Sequence, residues 1–140
     1  MRTGRRIRKA IGLAIAGLLF STPAIADEWS KLDISREVVW QTVHYMDWMQ
    51  TRQIARHPEE YHEENPILGK HPSVSEVNQY MVASAIGHVI VANYIPDVVR
   101  GIGLPESWAS NSRAVFQYVT IGMSGGCVAN NFSIGLKVSF

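Results

Sequence analysis

Cysteine occurs once in the 140 residues, at Cys127, so neither an intramolecular disulfide framework nor a multi-cysteine zinc module holds this fold together. Stability has to come from packing or from lipid. Charge is also scarce, at 18% of residues against 46% hydrophobic, and a chain of that composition is not disordered. Nor is there a surplus of positive charge. Arg2, Arg5, Arg6, Arg8 and Lys9 all precede the first acid at Asp27, and beyond Ala26 eight basic residues face twelve acidic ones, a net charge of −4. Phosphate binding needs the opposite balance, which argues against a nucleic-acid partner. No phosphate-cradling glycine loop, nucleophile elbow or paired-cysteine motif is present. The length fits one domain.

What is present begins with an export signal. Residues 1–9 are basic, residues 10–20 form an unbroken apolar run, and Ser21 to Ala26 contains Pro23 and ends Ala24-Ile25-Ala26. An apolar run of that length is too short for a hydrocarbon core about 30 Å thick, which takes about 20 helical residues. The expectation is a signal peptide over 1–26, cleaved after Ala26, ahead of a single helical domain over 27–140. An uncleaved amino-terminal anchor is the alternative, and either route delivers the chain to a bacterial envelope.

Three helical segments are expected beyond it. The first runs from Ile34 to about His57, with Ser35 as a candidate N-cap and Pro58 just past its end. At 100° per residue, Trp40, Val43, His44, Asp47, Thr51 and Ile54 share one face, with Val38, Gln41, Tyr45 and Met49 opposite. Residues 58–75 form a loop rich in acids and histidine, broken by three prolines and a glycine. Ser73 with Glu76 then fits a capping box, and Val77 to Pro96 holds no charged residue over 20 positions. That length suits a membrane span or a buried central helix. Ser84, Ala85, His88 and Ala92 cluster on one of its faces, where small residues let another helix approach. After a connection over 97–113, Ala114 to Leu136 is again free of formal charge, with Gly122 and Gly126 at helix-contact spacing. From Phe132 to Phe140 apolar residues alternate with small or polar ones, the period of a strand, and the aromatic end resembles the last strand of outer-membrane barrels. A whole barrel needs about eight such strands, and segments 34–57 and 77–96 do not alternate.

Asp47-Trp48-Met49-Gln50-Thr51, followed by Glu64-Asn65-Pro66-Ile67-Leu68-Gly69, resembles small uncharacterised bacterial and prophage envelope proteins, over roughly residues 40–95. Those have an Asp and a Thr one turn apart on a first helix, then an E-N-P loop, then two hydrophobic helices. The resemblance implies a compact helical membrane or membrane-associated protein with no assigned activity. This chain departs from it in its more polar first helix and its cleavable-looking signal.

The sharpest polar constellation is His44, Asp47 and Thr51 with Glu64, Asn65 and His88. If the second helix packs on the first, His88 is expected to meet Asp47, and a carboxylate beside an imidazole is suited to acid/base work or to a divalent metal. The simpler reading is structural, with Asp47 and Thr51 bracing the E-N-P loop, because buried polar groups need partners. His57, His62 and His71 with Glu59, Glu60, Glu63 and Glu64 have no recognised metal-ligand spacing and read as a solvated acidic loop. Cys127 reads as a small buried hydrophobe.

The sequence therefore points to an all-α fold: a three-helix, membrane-associated bundle after a signal peptide, with a short extended tail. Ser84, Ala85, Ala92, Gly122 and Gly126 are its expected helix-packing positions. The expected role is structural or partner-binding in the envelope, with the inner membrane favoured over periplasm or outer membrane. Membrane lipid and another envelope protein are the expected partners, without catalytic residues, metal or cofactor. Two alternatives stay open: a metal-dependent or acid/base enzyme using Asp47, Glu64 and His88, and an outer-membrane component recruited through the Phe140 tail.

Overall fold

The computed structural model describes residues 28–138. Helix α1 spans Lys31–Arg56, α2 Val74–Gly101 and α3 Glu106–Ser133, and no strand occurs among the described residues. The expected signal peptide over 1–26 and the terminal Phe140 lie outside them.

Local chemistry starts each helix. The Ser30 hydroxyl accepts from the Asp33 amide at 3.1 Å while the Asp33 carboxylate accepts from the Ser30 amide at 2.9 Å, a reciprocal cap for two otherwise orphaned donors. That cap moves the start of α1 ahead of the expected Ile34. Ser35, the candidate cap, sits inside the helix and donates to the Lys31 carbonyl at 2.9 Å. Ser73 and Glu76 form the second box as expected, at 3.2 and 3.0 Å. Helix α3 starts far earlier than its charge-free stretch suggests: Pro105 precedes the first turn, where its missing N–H costs nothing, and its carbonyl accepts from the Trp108 and Ala109 amides. The expected connection over 97–113 therefore shrinks to residues 102–105, where Gly103 takes φ +81°, a conformation that costs glycine no steric penalty.

Helix α2 continues through Pro96 to Gly101, although a proline inside a helix removes a donor and costs about 3 kcal/mol. The carbonyl that loses its partner is that of Ala92, four residues back. Arg113 Nε of α3 donates to it at 2.8 Å, so a neighbouring helix supplies the missing hydrogen bond. Pro96 is itself buried.

At the other end of the chain, Phe132 and Ser133 close α3 instead of opening a strand. Gly135 at φ +91° turns the chain, the Leu136 amide donates back to the Asn131 carbonyl at 3.0 Å, and Leu136 is buried with 1% exposure. Residues 136–138 carry no regular structure.

The partners across the interfaces give the topology. Trp29 Nε1 donates to Asn93 Oδ1 at 3.0 Å and Trp48 Nε1 to Asn78 Oδ1 at 2.8 Å, so α1 and α2 run antiparallel. Asp33 meets Arg113 and Asp47 meets Asn131, so α3 runs parallel to α1. The chain is an up-down-up bundle in which all three helix pairs touch.

Its polarity is unusual for such a bundle. Asp33, Glu37, His44, Gln50, Thr51, His88, Arg113 and Gln117 are buried alongside a comparable number of apolar residues. Large apolar side chains such as Val38, Ile86, Val98, Val119 and Met123 are more than 40% exposed. Among the three helices, the exposed charged side chains are Lys31, Arg56, Glu76 and Glu106, each within one turn of a helix end.

Candidate functional site

On α1, residues 33, 37, 40, 44 and 51 follow steps of three, four and seven, the recurrence of a helix seam. Those positions hold Asp33, Glu37, Trp40, His44 and Thr51, all buried. Helix α2 adds Met81, Ser84, His88 and Ala92 at the same spacing, and α3 adds Ala109, Arg113, Gln117 and Thr120. The three stripes converge on a polar column along the bundle axis.

Glu37 is its hub. One carboxylate accepts from Gln41 Nε2 of α1 at 2.9 Å, from His88 Nδ1 of α2 at 3.0 Å and from Gln117 Nε2 of α3 at 3.2 Å. Each helix contributes one donor, so the carboxylate fixes the register of all three. A buried charge is tolerated only with such pairing. Gln117 also donates to the Asp33 carbonyl at 3.1 Å and accepts from Arg36 Nε at 3.0 Å. One turn toward Ser30, Asp33 pairs with both Arg36 and Arg113.

On the other side of Glu37 the column becomes aromatic. The Trp40 indole stacks with the His88 ring at 3.6 Å between centroids and 7° between planes, and with the His44 ring at 4.6 Å and 10°. Phe116 stacks with His88 at 4.7 Å and 29°. His88 Nε2 lies 2.8 Å from Thr120 Oγ1. His44 Nε2 is 3.0 Å from both the Met81 carbonyl and Ser84 Oγ. At its outer edge Glu37 lines a shallow, open groove of about 380 Å³ with Val38, Gln41, Thr42 and Tyr45.

The structure brings some of the expected site residues together and parts others. His44 and His88 share one indole. His88 does not meet Asp47, however: the antiparallel register sets it against Glu37, ten residues earlier on α1, or about 15 Å along the axis at 1.5 Å per residue. Asp47 accepts from Asn131 of α3 at 3.3 Å. Thr51 is buried on the same face. Glu64 is exposed, and Asn65 is half-buried. The E-N-P loop holds itself: the Asn65 side chain accepts from the Ile67 amide at 2.9 Å, and Glu63 accepts from the Asn65 amide at 2.9 Å. These are bonds of a turn built by an asparagine.

Of the packing positions, Ala92 is fully buried, Ser84 bonds to His44, and the Ala85 carbonyl accepts from Gln41 at 3.2 Å. Gly122 and Gly126 are exposed, with open space where a Cβ would stand. Their spacing is that of a helix contact, yet no helix among the described residues packs there. Cys127, expected inside, is exposed. His57, Glu59 and Glu60 place their ligand atoms within 4.8 Å of one another, all three exposed.

Sequence reasoning missed Asp33, Glu37, Arg113, Gln117 and Thr120. The signal was available for the two acids, because Asp33 and Glu37 continue the Trp40–His44–Thr51 stripe backward. Starting the helix at Ile34 cut the stripe short. Arg113 falls within the expected connection over 97–113, where glycine and proline precede it.

No family model, curated protein or solved structure matches the chain. The functional reading therefore rests on this geometry.

Proposed function

We propose that the chain is a small membrane-embedded helical protein of the bacterial cell envelope, with a structural or partner-binding role and no reaction of its own. The observation that carries the reading is the placement of charge. Asp33, Arg36, Glu37, His88 and Arg113 turn inward and pair with one another, Asp47 and Arg52 are half-buried, and the exposed charged side chains of the helices sit at helix ends. In water that arrangement is costly on both counts, because apolar area is left wet and charges are desolvated. In a bilayer it is the expected one, since ionisable groups at membrane depth face the bundle interior and pair there.

Dimensions agree. Helices of 26 to 28 residues reach about 40 Å at 1.5 Å per residue, against a hydrocarbon core of about 30 Å. Helix α2 is long and apolar enough to cross a membrane. We place α2 and α3 against lipid and α1 packed on them through its polar stripe, with residues 1–26 acting as the export signal. The resemblance carried by Asp47, Thr51 and the Glu64–Gly69 loop leads to the same compartment. Within the fold, the Glu37 hub and the Arg113–Ala92 bond are register devices, for lipid offers helices little hydrophobic reason to choose one alignment.

Fractionation of the tagged full chain tests this. The expected result is recovery in the membrane pellet that survives alkaline carbonate and is released by detergent. Release into osmotic-shock fluid would leave the bundle as a soluble periplasmic protein and end the membrane reading.

A further inference from the structure

His88 has hydrogen-bond partners that fit two protonation states. Its Nδ1 faces the Glu37 carboxylate, with both oxygens at 3.0 Å, so Nδ1 carries a proton whenever Glu37 is ionised. Its Nε2 faces the Thr120 hydroxyl at 2.8 Å. That hydroxyl also stands 2.9 Å from the Phe116 carbonyl and 3.0 Å from the Gln117 carbonyl. A hydroxyl is both donor and acceptor, and its hydrogen rotates to suit. Turned toward the ring, it donates to a neutral imidazole. Turned toward a helix carbonyl, it leaves Oγ1 to accept from a protonated Nε2. Both arrangements satisfy every polar atom of the ring, and only one hydrogen has to swing between them.

Few charged groups surround the ring. Against the ring, α1 presents Glu37 and, through the shared indole, His44; α3 presents Phe116, Gln117 and Thr120, none of which titrates. Beyond Glu37, Asp33 is paired with Arg36 and Arg113. With His88 neutral, two carboxylates balance two guanidiniums; one further proton makes the column positive by one unit. The stacked Trp40 and Phe116 rings offer π faces that favour such a cation.

We propose that Glu37, His88 and Thr120 form a proton-binding site in the bundle core, where His88 takes a second proton as the Thr120 hydroxyl turns from the ring to a helix carbonyl. The proton comes from the surrounding medium and adds to Nε2; no other bond breaks.

The test is nitrogen-15 NMR of the histidine rings in the detergent-solubilised full chain, from about pH 8 to about pH 4, with His88 identified by its loss in His88→Asn. Far-UV circular dichroism follows the fold in parallel. The expected result is one neutral Nδ1–H tautomer at the high end, converting to the doubly protonated ring at the low end while the helix signal is unchanged. Glu37→Gln is expected to weaken proton affinity about tenfold or more, one unit in the midpoint, and Thr120→Val several-fold, because the second N–H then lacks an acceptor. A His88 that keeps one protonation state until the helices melt overturns the proposal, and so does a midpoint that neither variant moves. If Glu37→Gln or Thr120→Val fails to fold, the wild-type titration of the assigned His88 ring still decides.

Discussion

Gln117 and Gln50 are both fully buried, at 0% exposure, yet their surroundings differ completely. Gln117 donates to Asp33 and Glu37 and accepts from Arg36. Neither amide atom of Gln50 finds a hydrogen-bond partner among the described residues. The contrast extends to their neighbourhoods. Around Gln117 three helices tie into one carboxylate; near Gln50, one turn from Asp47, a single bond from Asn131 at 3.3 Å reaches that acid. Burial alone does not make a polar residue structural. What counts is how many elements its hydrogen bonds join.

Breaking the satisfied region is expected to cost most. Glu37→Leu strands the Gln41, His88 and Gln117 donors at once and is expected to lose about 3–5 kcal/mol of stability, measured by denaturant unfolding in detergent, with Glu37→Gln milder. Gln117→Met comes next, about 1–3 kcal/mol destabilising, because it leaves the Asp33 carbonyl and the Arg36 guanidinium each short of a partner. Gln50→Met sharpens the comparison by reversing the sign. Removing two unpartnered buried polar atoms at similar volume is expected to be neutral or to gain up to about 1 kcal/mol. A loss there equal to that at Gln117 would erase the distinction.

A double-mutant cycle isolates the second register device. Arg113→Met strips the donor from the Ala92 carbonyl, whereas Pro96→Ala returns a backbone N–H to it. The two changes together are expected to cost about 1 kcal/mol less than the sum of each alone. The smallest effect belongs to the glycines: Gly126→Ala meets open space and is expected to be stabilising by about 0.5–1 kcal/mol through helix propensity. A marked loss there would mean that another helix packs on that face.

Much of this architecture was legible in the residues. The Ser73–Glu76 box, the charge-free stretch of α2 and the buried Trp40–His44–Thr51 stripe follow from spacing and capping chemistry alone. Two of the differences arise at breakers, whose tertiary compensation the sequence does not display. Pro96 ends a helix only if nothing replaces its N–H, and Arg113 does so from α3. The glycine and proline run over 101–105 suggested a long connection, yet one left-handed glycine turns the chain in four residues. The partner of His88 depends on interhelix register, which no single-chain periodicity contains; a shift of ten residues moved it from Asp47 to Glu37. The polar column was hidden for a further reason. Buried charge on a helix seam contradicts the rule that seams are apolar, so the pattern of apolar residues does not single out Asp33 and Glu37.

The inward turning of charge is tested most directly by spin labels on single cysteines in a Cys127→Ser background, reconstituted in lipid vesicles, at the outward positions Ile86, Val89 and Val119. Collision with dissolved oxygen, which partitions into hydrocarbon, is compared with collision with a water-soluble nickel complex. The bundle described here predicts strong oxygen and weak nickel collision at all three. Strong nickel collision at those positions would put the apolar exterior in water and contradict the account.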